Sequence, residues 1–188
     1  MTALGPEYGA ALAYAHHLHR DQLRKGGNVP YVSHLLAVSS LVLEGLGDEE
    51  QAIAALLHDA LEDQGDKTSF EEIQRRFGLR VAERVRACSD TEVIPKPPWH
   101  DRKQAYLERL ENEREDALLV SLADKLHNAR ATLADNRLAG TDVWARFNAG
   151  RDEQRWYYKS LIGIFARRLP GNALVAELDR TVTELFAS

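Results

Sequence analysis

Residues 52–63 read AIAALLHDALED, a run whose first half is as apolar as a fully buried helix and whose second half carries four titratable side chains, His58, Asp59, Glu62 and Asp63. Burying unpaired charge is expensive, so such groups need partners or an ion. Adjacent helical residues point about 100° apart, so His58 and Asp59 converge on one ion only if both side chains lean towards it. Glu62 follows one turn beyond His58. Taken alone, the dipeptide reads as a hydrogen-bonded pair closing a helix.

A second apolar segment, LVSLADKLHNA at 119–129, places Asp124 among leucines, with Asn128 one turn later on the same face. A salt bridge to Lys125 or to an arginine elsewhere is the alternative partner for Asp124. His34 begins another apolar stretch, where capping or packing would also account for it. Taken together, the imidazoles of His34 and His58 and the carboxylates of Asp59 and Asp124 make a donor set suited to manganese, iron, zinc or magnesium, with positions left for water. The chain has one cysteine, Cys88, so neither an internal disulfide nor a thiolate zinc site is available.

The elements that must position these residues are helical. AALAYAHHLHRDQLR predicts a first helix from Glu7 to about Arg24, ended by Gly26 and Gly27. A second starts near Tyr31, after Pro30, and stops at Gly45 or Gly47. Asp48 with Gln51 forms a capping box for the helix that delivers His58 and Asp59. Thr68 with Glu71 predicts the cap of an amphipathic helix ending at Gly78, and Leu79 to Ala87 forms another. Pro95, Pro97 and Pro98 break the pattern into a turn or loop before a helix starting at Asp101 with Gln104. DALLVSLADKLHNARATLA is a long, largely buried helix. A loop from Ala139 to Gly150 leads into a helix carrying Trp156, Tyr157 and Tyr158, at least two of them core residues, and Pro170 separates it from a last helix.

No strand pattern or repeat interrupts this series. At 188 residues, an all-α single domain spanning 1–188 is expected. Mean hydropathy is −0.40 and no apolar run approaches spanning length, so no membrane partner is expected. Met1 to Ala15 lacks the features of a secretory signal, which predicts a cytoplasmic protein. A net charge of −5 argues against a nucleic-acid binder and favours a small-molecule partner.

The landmarks HRDQLRK at His19 to Lys25, VPYVSH at Val29 to His34, ALLHDALED at Ala55 to Asp63 and SLADKLHNAR at Ser121 to Arg130 resemble, in order and spacing, the HD-domain phosphohydrolases. The resemblance is nearest to the hydrolase domain of the RelA/SpoT alarmone enzymes and to the small stand-alone alarmone hydrolases, and it runs from about Leu12 to Leu169. It implies a helical bundle around one metal ion, typically manganese, ligated by His34, His58, Asp59 and Asp124. It further implies that Glu62 and Asp63 take part in catalysis, that Arg24, Lys25 and Asn128 contact a nucleotide, and that the substrate is guanosine tetra- or pentaphosphate, losing its 3′-pyrophosphate to give GDP or GTP.

The chain departs from that family's pattern at Leu35 and Gln64, where proline and threonine are usual, in a slightly lengthened GGNVP loop, and at Ala131, where threonine is frequent. None removes a ligand, and Ala131 bears on the exact substrate. The alternatives are an HD phosphohydrolase or nucleotidase acting on another nucleotide, or a nucleotide-binding module without turnover.

Overall fold

The computed structural model describes residues 3–90 and 95–187, with the backbone alone at 139–142. Among the described residues ten α-helices follow in chain order: α1 (Pro6–His19), α2 (Val32–Glu44), α3 (Glu49–Leu57), α4 (Ala60–Asp63), α5 (Phe70–Phe77), α6 (Leu79–Cys88), α7 (Trp99–Asn112), α8 (Glu115–Ala139), α9 (Arg151–Arg168) and α10 (Ala173–Leu185). A 3₁₀ helix, Gly140–Arg146, occupies most of the expected loop before α9. Among the described residues the sole extended pairing is an isolated antiparallel bridge between Leu23 and Pro30. The domain is all-α.

The core is organised around α3 and α8. Every residue of α3 from Gln51 to Leu57 is buried, because the helix packs against α1, α2, α6 and α8. The 25-residue α8 runs alongside α2, α3, α6 and α10 and buries Leu118, Val120, Leu122, Ala123 and Leu126 completely. At about 1.5–3 kcal/mol for each large aliphatic side chain removed from water, this layer is the main source of stability. Tyr157 and Tyr158 are buried as expected, whereas Trp156 is half-buried and stacks on His100.

Local signals account for most boundaries. Asp48 accepts from the Gln51 backbone at 2.8 Å while the Gln51 side chain accepts from the Asp48 backbone at 2.9 Å, completing the capping box. The cap of α5 differs from expectation by one residue: Ser69 accepts from Glu72, and Thr68 instead receives the Tyr14 hydroxyl at 2.8 Å. Helix α7 begins at Trp99, two residues before Asp101, because Pro98 supplies its N-cap backbone.

Helix α1 stops at His19, earlier than expected, because Gln22 to Arg24 pair with Val29 to Tyr31. The Arg24 amide donates to the Val29 carbonyl at 2.8 Å and the Tyr31 amide to the Gln22 carbonyl at 2.9 Å. Gly26, at φ +81°, makes the left-handed turn this pairing needs. Alternation along an extended segment sends Gln22 and Arg24 inwards and leaves Leu23 exposed.

Candidate metal centre and active site

The junction of α3 and α4 resolves the problem posed by adjacent His58 and Asp59. Helix α3 ends at Leu57, Asp59 adopts φ −96° and ψ 0°, and α4 restarts at Ala60. That bridge-region backbone swings Asp59 out of the helical spiral and brings its Oδ2 to 2.9 Å from His58 Nε2. His34, in the first turn of α2, sets its Nε2 at 3.2 Å from His58 Nε2, 3.5 Å from Asp59 Oδ2 and 3.2 Å from Asp124 Oδ1. Asp124 Oδ1, from the middle of α8, lies 3.6 Å from His58 Nε2. His34, His58 and Asp59 offer donor atoms that all lie within 4.8 Å of one another, and Asp124 closes on the two histidines.

The chemistry of this set fits a divalent cation. His58 Nδ1 lies 2.8 Å from the Ala55 carbonyl, an acceptor, so Nδ1 carries a proton; Nε2 holds a second proton against Asp59 in the absence of an ion and would give its lone pair to an ion that displaced it. His34 Nδ1 lies 2.7 Å from His127 Nδ1; with His127 accepting there, the His34 Nε2 lone pair is available to an ion at the same point. Burial and the neighbouring His34 push His127 down to about 4, so it stays neutral. Burial opposes charge at Asp59, but His58 and the hydrogen bonds from both histidines hold its carboxyl well below the usual range. At Asp124 burial is likewise outweighed, chiefly by Lys125. Burial also opposes a charged His58, yet Asp59 and Asp124 raise it well above the ordinary value. Two ionised carboxylates and a proton-holding imidazole mark a centre that draws positive charge.

Asp124 meets two sets of partners, on different oxygens. Oδ2 accepts from Lys125 Nζ at 2.6 Å, while Oδ1 accepts from Asn128 Nδ2 at 2.6 Å and faces the histidines. Asn128 in turn accepts from Arg24 Nη2 at 2.8 Å, joining two of the expected nucleotide-contacting residues to the metal group. Lys25 stands apart, exposed, with Nζ at 3.5 Å from Asn148 Oδ1.

Glu62 and Asp63 flank the centre without joining it. Glu62 accepts the Asp90 amide at 3.0 Å and Lys96 Nζ at 2.7 Å. Asp63 accepts Gln22 Nε2 at 2.7 Å; burial and the neighbouring Asp59 raise its pKa, against the opposing pull of that hydrogen bond.

Sequence reasoning missed Tyr31, whose hydroxyl donates to Asp59 Oδ2 at 2.6 Å, together with Gln22 and His127. Tyr31 and Gln22 lie inside the landmark segments, and His127 is three residues after Asp124, but no spacing singles them out. Of the departures, Leu35 is fully buried in the core and Gln64 is buried beside Gln22.

The HD domain model matches residues 11–154. The chain belongs to the HD-domain family. Among the relatives of this HD domain, the mouse guanosine-3′,5′-bis(diphosphate) 3′-pyrophosphohydrolase MESH1 is 35% identical over 123 residues, 64% of this chain and 66% of the mouse protein. The Drosophila melanogaster MESH1 is 38% identical over 122 residues, 63% of this chain and 65% of its own. The bifunctional (p)ppGpp synthase/hydrolase SpoT of Escherichia coli K12 is 32% identical over 126 residues, 64% of this chain and 17% of SpoT. The chain therefore spans just under two thirds of the metazoan relatives it matches. In structure it resembles a metazoan SpoT orthologue that hydrolyses ppGpp, with a TM-score of 0.74, 30% identity and 96% of each chain covered. It also resembles lmo0812 of Listeria monocytogenes, with a TM-score of 0.72, 26% identity, 82% of this chain and 99% of the other.

Proposed function

We propose that this HD domain is a metal-dependent hydrolase that removes the 3′-pyrophosphate of guanosine 3′,5′-bis(diphosphate) and of its pentaphosphate, giving GDP or GTP and pyrophosphate. The observation that carries the proposal is the convergence of His34, His58, Asp59 and Asp124 from separate helices beside the acidic pair Glu62 and Asp63. Likeness to the MESH1 and SpoT hydrolases supports the substrate.

In this reading His34, His58, Asp59 and Asp124 hold one ion, manganese in the first instance. When bound, such an ion offsets charge gathering on phosphoryl oxygens and makes water a nucleophile near neutral pH. Asp63, its basicity raised by burial and by Asp59, accepts a proton from the attacking water. The water oxygen joins the phosphorus attached to O3′, the P–O3′ bond breaks, and O3′ leaves as the hydroxyl with a proton drawn from solvent, the proton on Asp63 returning to solvent to close the cycle. Glu62, tied to Lys96 and the Asp90 amide, sets the other side of the water's path. Arg24, through Asn128, presents remaining guanidinium N–H groups to the guanine or its phosphates. Lys25, exposed on the same loop, reaches the phosphates from solvent.

The test is pyrophosphate release from guanosine tetraphosphate by the purified chain with manganese, beside a chelated sample and an Asp59→Ala variant, with other nucleotides in parallel. Turnover that needs the metal and falls at least about 100-fold in Asp59→Ala supports the proposal. Turnover confined to a different nucleotide replaces the substrate, and no turnover of any nucleotide by metal-loaded protein refutes hydrolysis.

A further inference from the structure

Behind Asp63 runs a line of side-chain amides whose direction can be worked out from one end. Lys67 Nζ lies 2.7 Å from the Gln64 side chain and 3.0 Å from the Leu18 carbonyl. An ammonium group has donors and no acceptor, so the Gln64 atom facing it is the carbonyl oxygen. The Gln64 amide nitrogen is thereby turned to Gln22, 2.7 Å away, where it needs an oxygen. That places the Gln22 nitrogen against Asp63 Oδ2 at 2.7 Å. Reversing either amide would set oxygen against oxygen at Asp63, or nitrogen against nitrogen at Lys67.

Gln22 Oε1 also takes the proton of His19 Nδ1 at 2.6 Å. His19 is 1% exposed and lies flat on Tyr31, with ring centroids 5.3 Å apart and planes within 15°. The Gln22 amide is therefore held on both atoms, by groups from α1, from the segment after α4 and from α4 itself. Gln64, which enables this, is one of the positions where the chain departs from its family's usual threonine, a side chain too short to span Gln22 and Lys67 together.

We propose that Gln22 and Gln64 are positioning residues for Asp63: the line Lys67–Gln64–Gln22 fixes one carboxylate oxygen so that the other meets the attacking water. The inference rests on the role given to Asp63 above. Neither glutamine touches the four metal-group residues in the contacts they make, so their effect belongs to kcat, through Asp63. A displacement of about 1 Å at a reacting group is enough for a roughly 100-fold loss of rate.

The experiment is a double-mutant cycle on guanosine tetraphosphate hydrolysis by the manganese-loaded chain, using Gln22→Met, Asp63→Asn and the pair, with Gln64→Met as a second, more remote variant. Gln22→Met is expected to lower kcat roughly 10- to 100-fold with KM and manganese stoichiometry unchanged, and Gln64→Met to lower it less. In the Asp63→Asn background Gln22→Met should change kcat less than twofold, because the carboxylate it positions is already gone. Wild-type kcat in Gln22→Met, or the same proportional loss with and without Asp63, overturns the inference while leaving the hydrolase reading intact. Should Gln22→Met fail to fold, Gln64→Met decides by the same cycle. Wild-type kcat in Asp63→Asn instead removes the role of Asp63, and the positioning inference with it. Absence of hydrolysis by the wild-type chain refutes the underlying function.

Discussion

Removing the His127 ring should weaken metal binding without a ligand being touched. For His34 to give its Nε2 lone pair to an ion, its proton must sit on Nδ1, which faces His127 Nδ1 at 2.7 Å. Without an ion, His34 has another choice, because a proton on Nε2 can be donated to Asp124 Oδ1 at 3.2 Å. In His127→Leu the ion-bound state is left with a buried donor lacking an acceptor, while the ion-free state shifts its tautomer and escapes most of the penalty. An orphaned buried donor costs about 1–3 kcal/mol, which at about 1.4 kcal/mol per decade is roughly a 5- to 150-fold loss of affinity. His127 is only partly buried, so water replaces some of the bond and a loss of about tenfold is expected. Calorimetric titration of metal-free protein with manganese, repeated by competition against a chelator, measures it. His127→Gln, which restores an acceptor oxygen, should recover most of the affinity. Wild-type affinity in the leucine variant, or an equal loss in the glutamine variant, refutes the tautomer argument.

Arg84 is 2% exposed and bridges Glu50 on α3 and Asp116 on α8 at 2.9 Å each, so Arg84→Met should lower stability to urea by about 2 kcal/mol, less than for a fully buried pair because both carboxylates reach solvent. The same ion pair predicts a pH dependence: burial alone would raise the Asp116 pKa, but Arg84 and Arg114 outweigh it and depress it. A carboxyl depressed in the folded state stabilises above its unfolded value, about 3.9, and loses that contribution as pH falls through the folded value. The stability gap between wild type and Asp116→Asn should therefore be full at pH 6 and shrink below about pH 4, as followed by thermal melts across that range. Gly26→Ala forces a side chain onto φ +81° and against Arg146 Cδ at 2.9 Å, and should cost about 1 kcal/mol in the same melts.

Much of the fold was legible because its helix boundaries are written in short-range chemistry. The reciprocal bonds of Asp48 and Gln51 need only the residues between them, so spacing alone identifies the start of α3. The error at α5 shows the limit. Thr68 with Glu71 and Ser69 with Glu72 present the same spacing, one residue apart, and the choice falls to Ser69. Thr68 is taken by Tyr14, 54 positions away, a contact that only the packing of α1 against this region creates. The early end of α1 has a similar origin, since Gln22 and Arg24 find backbone partners across the turn at Gly26 that compete with another helical turn.

The site divides along the same line. His58, Asp59 and Asp124 stood out because charge in an apolar helix needs an explanation wherever the partners lie. Their convergence was expected from the set as a whole and from the resemblance, but the means of it was not, since it depends on the bridge-region backbone at Asp59, which no residue type there demands. Gln22, Tyr31 and His127 were harder still: a glutamine in a loop, a tyrosine after a proline and a histidine on a mostly buried helix each satisfy ordinary expectations. They acquire a role only through the groups they meet, Asp63, Asp59 and His34, all at least 28 positions away. A donor set can thus be read from residue types, whereas the tautomers and oxygen directions that let it act are properties of the assembled bundle. The residues behind the donor set, more than the set itself, are where this chain can differ from its relatives.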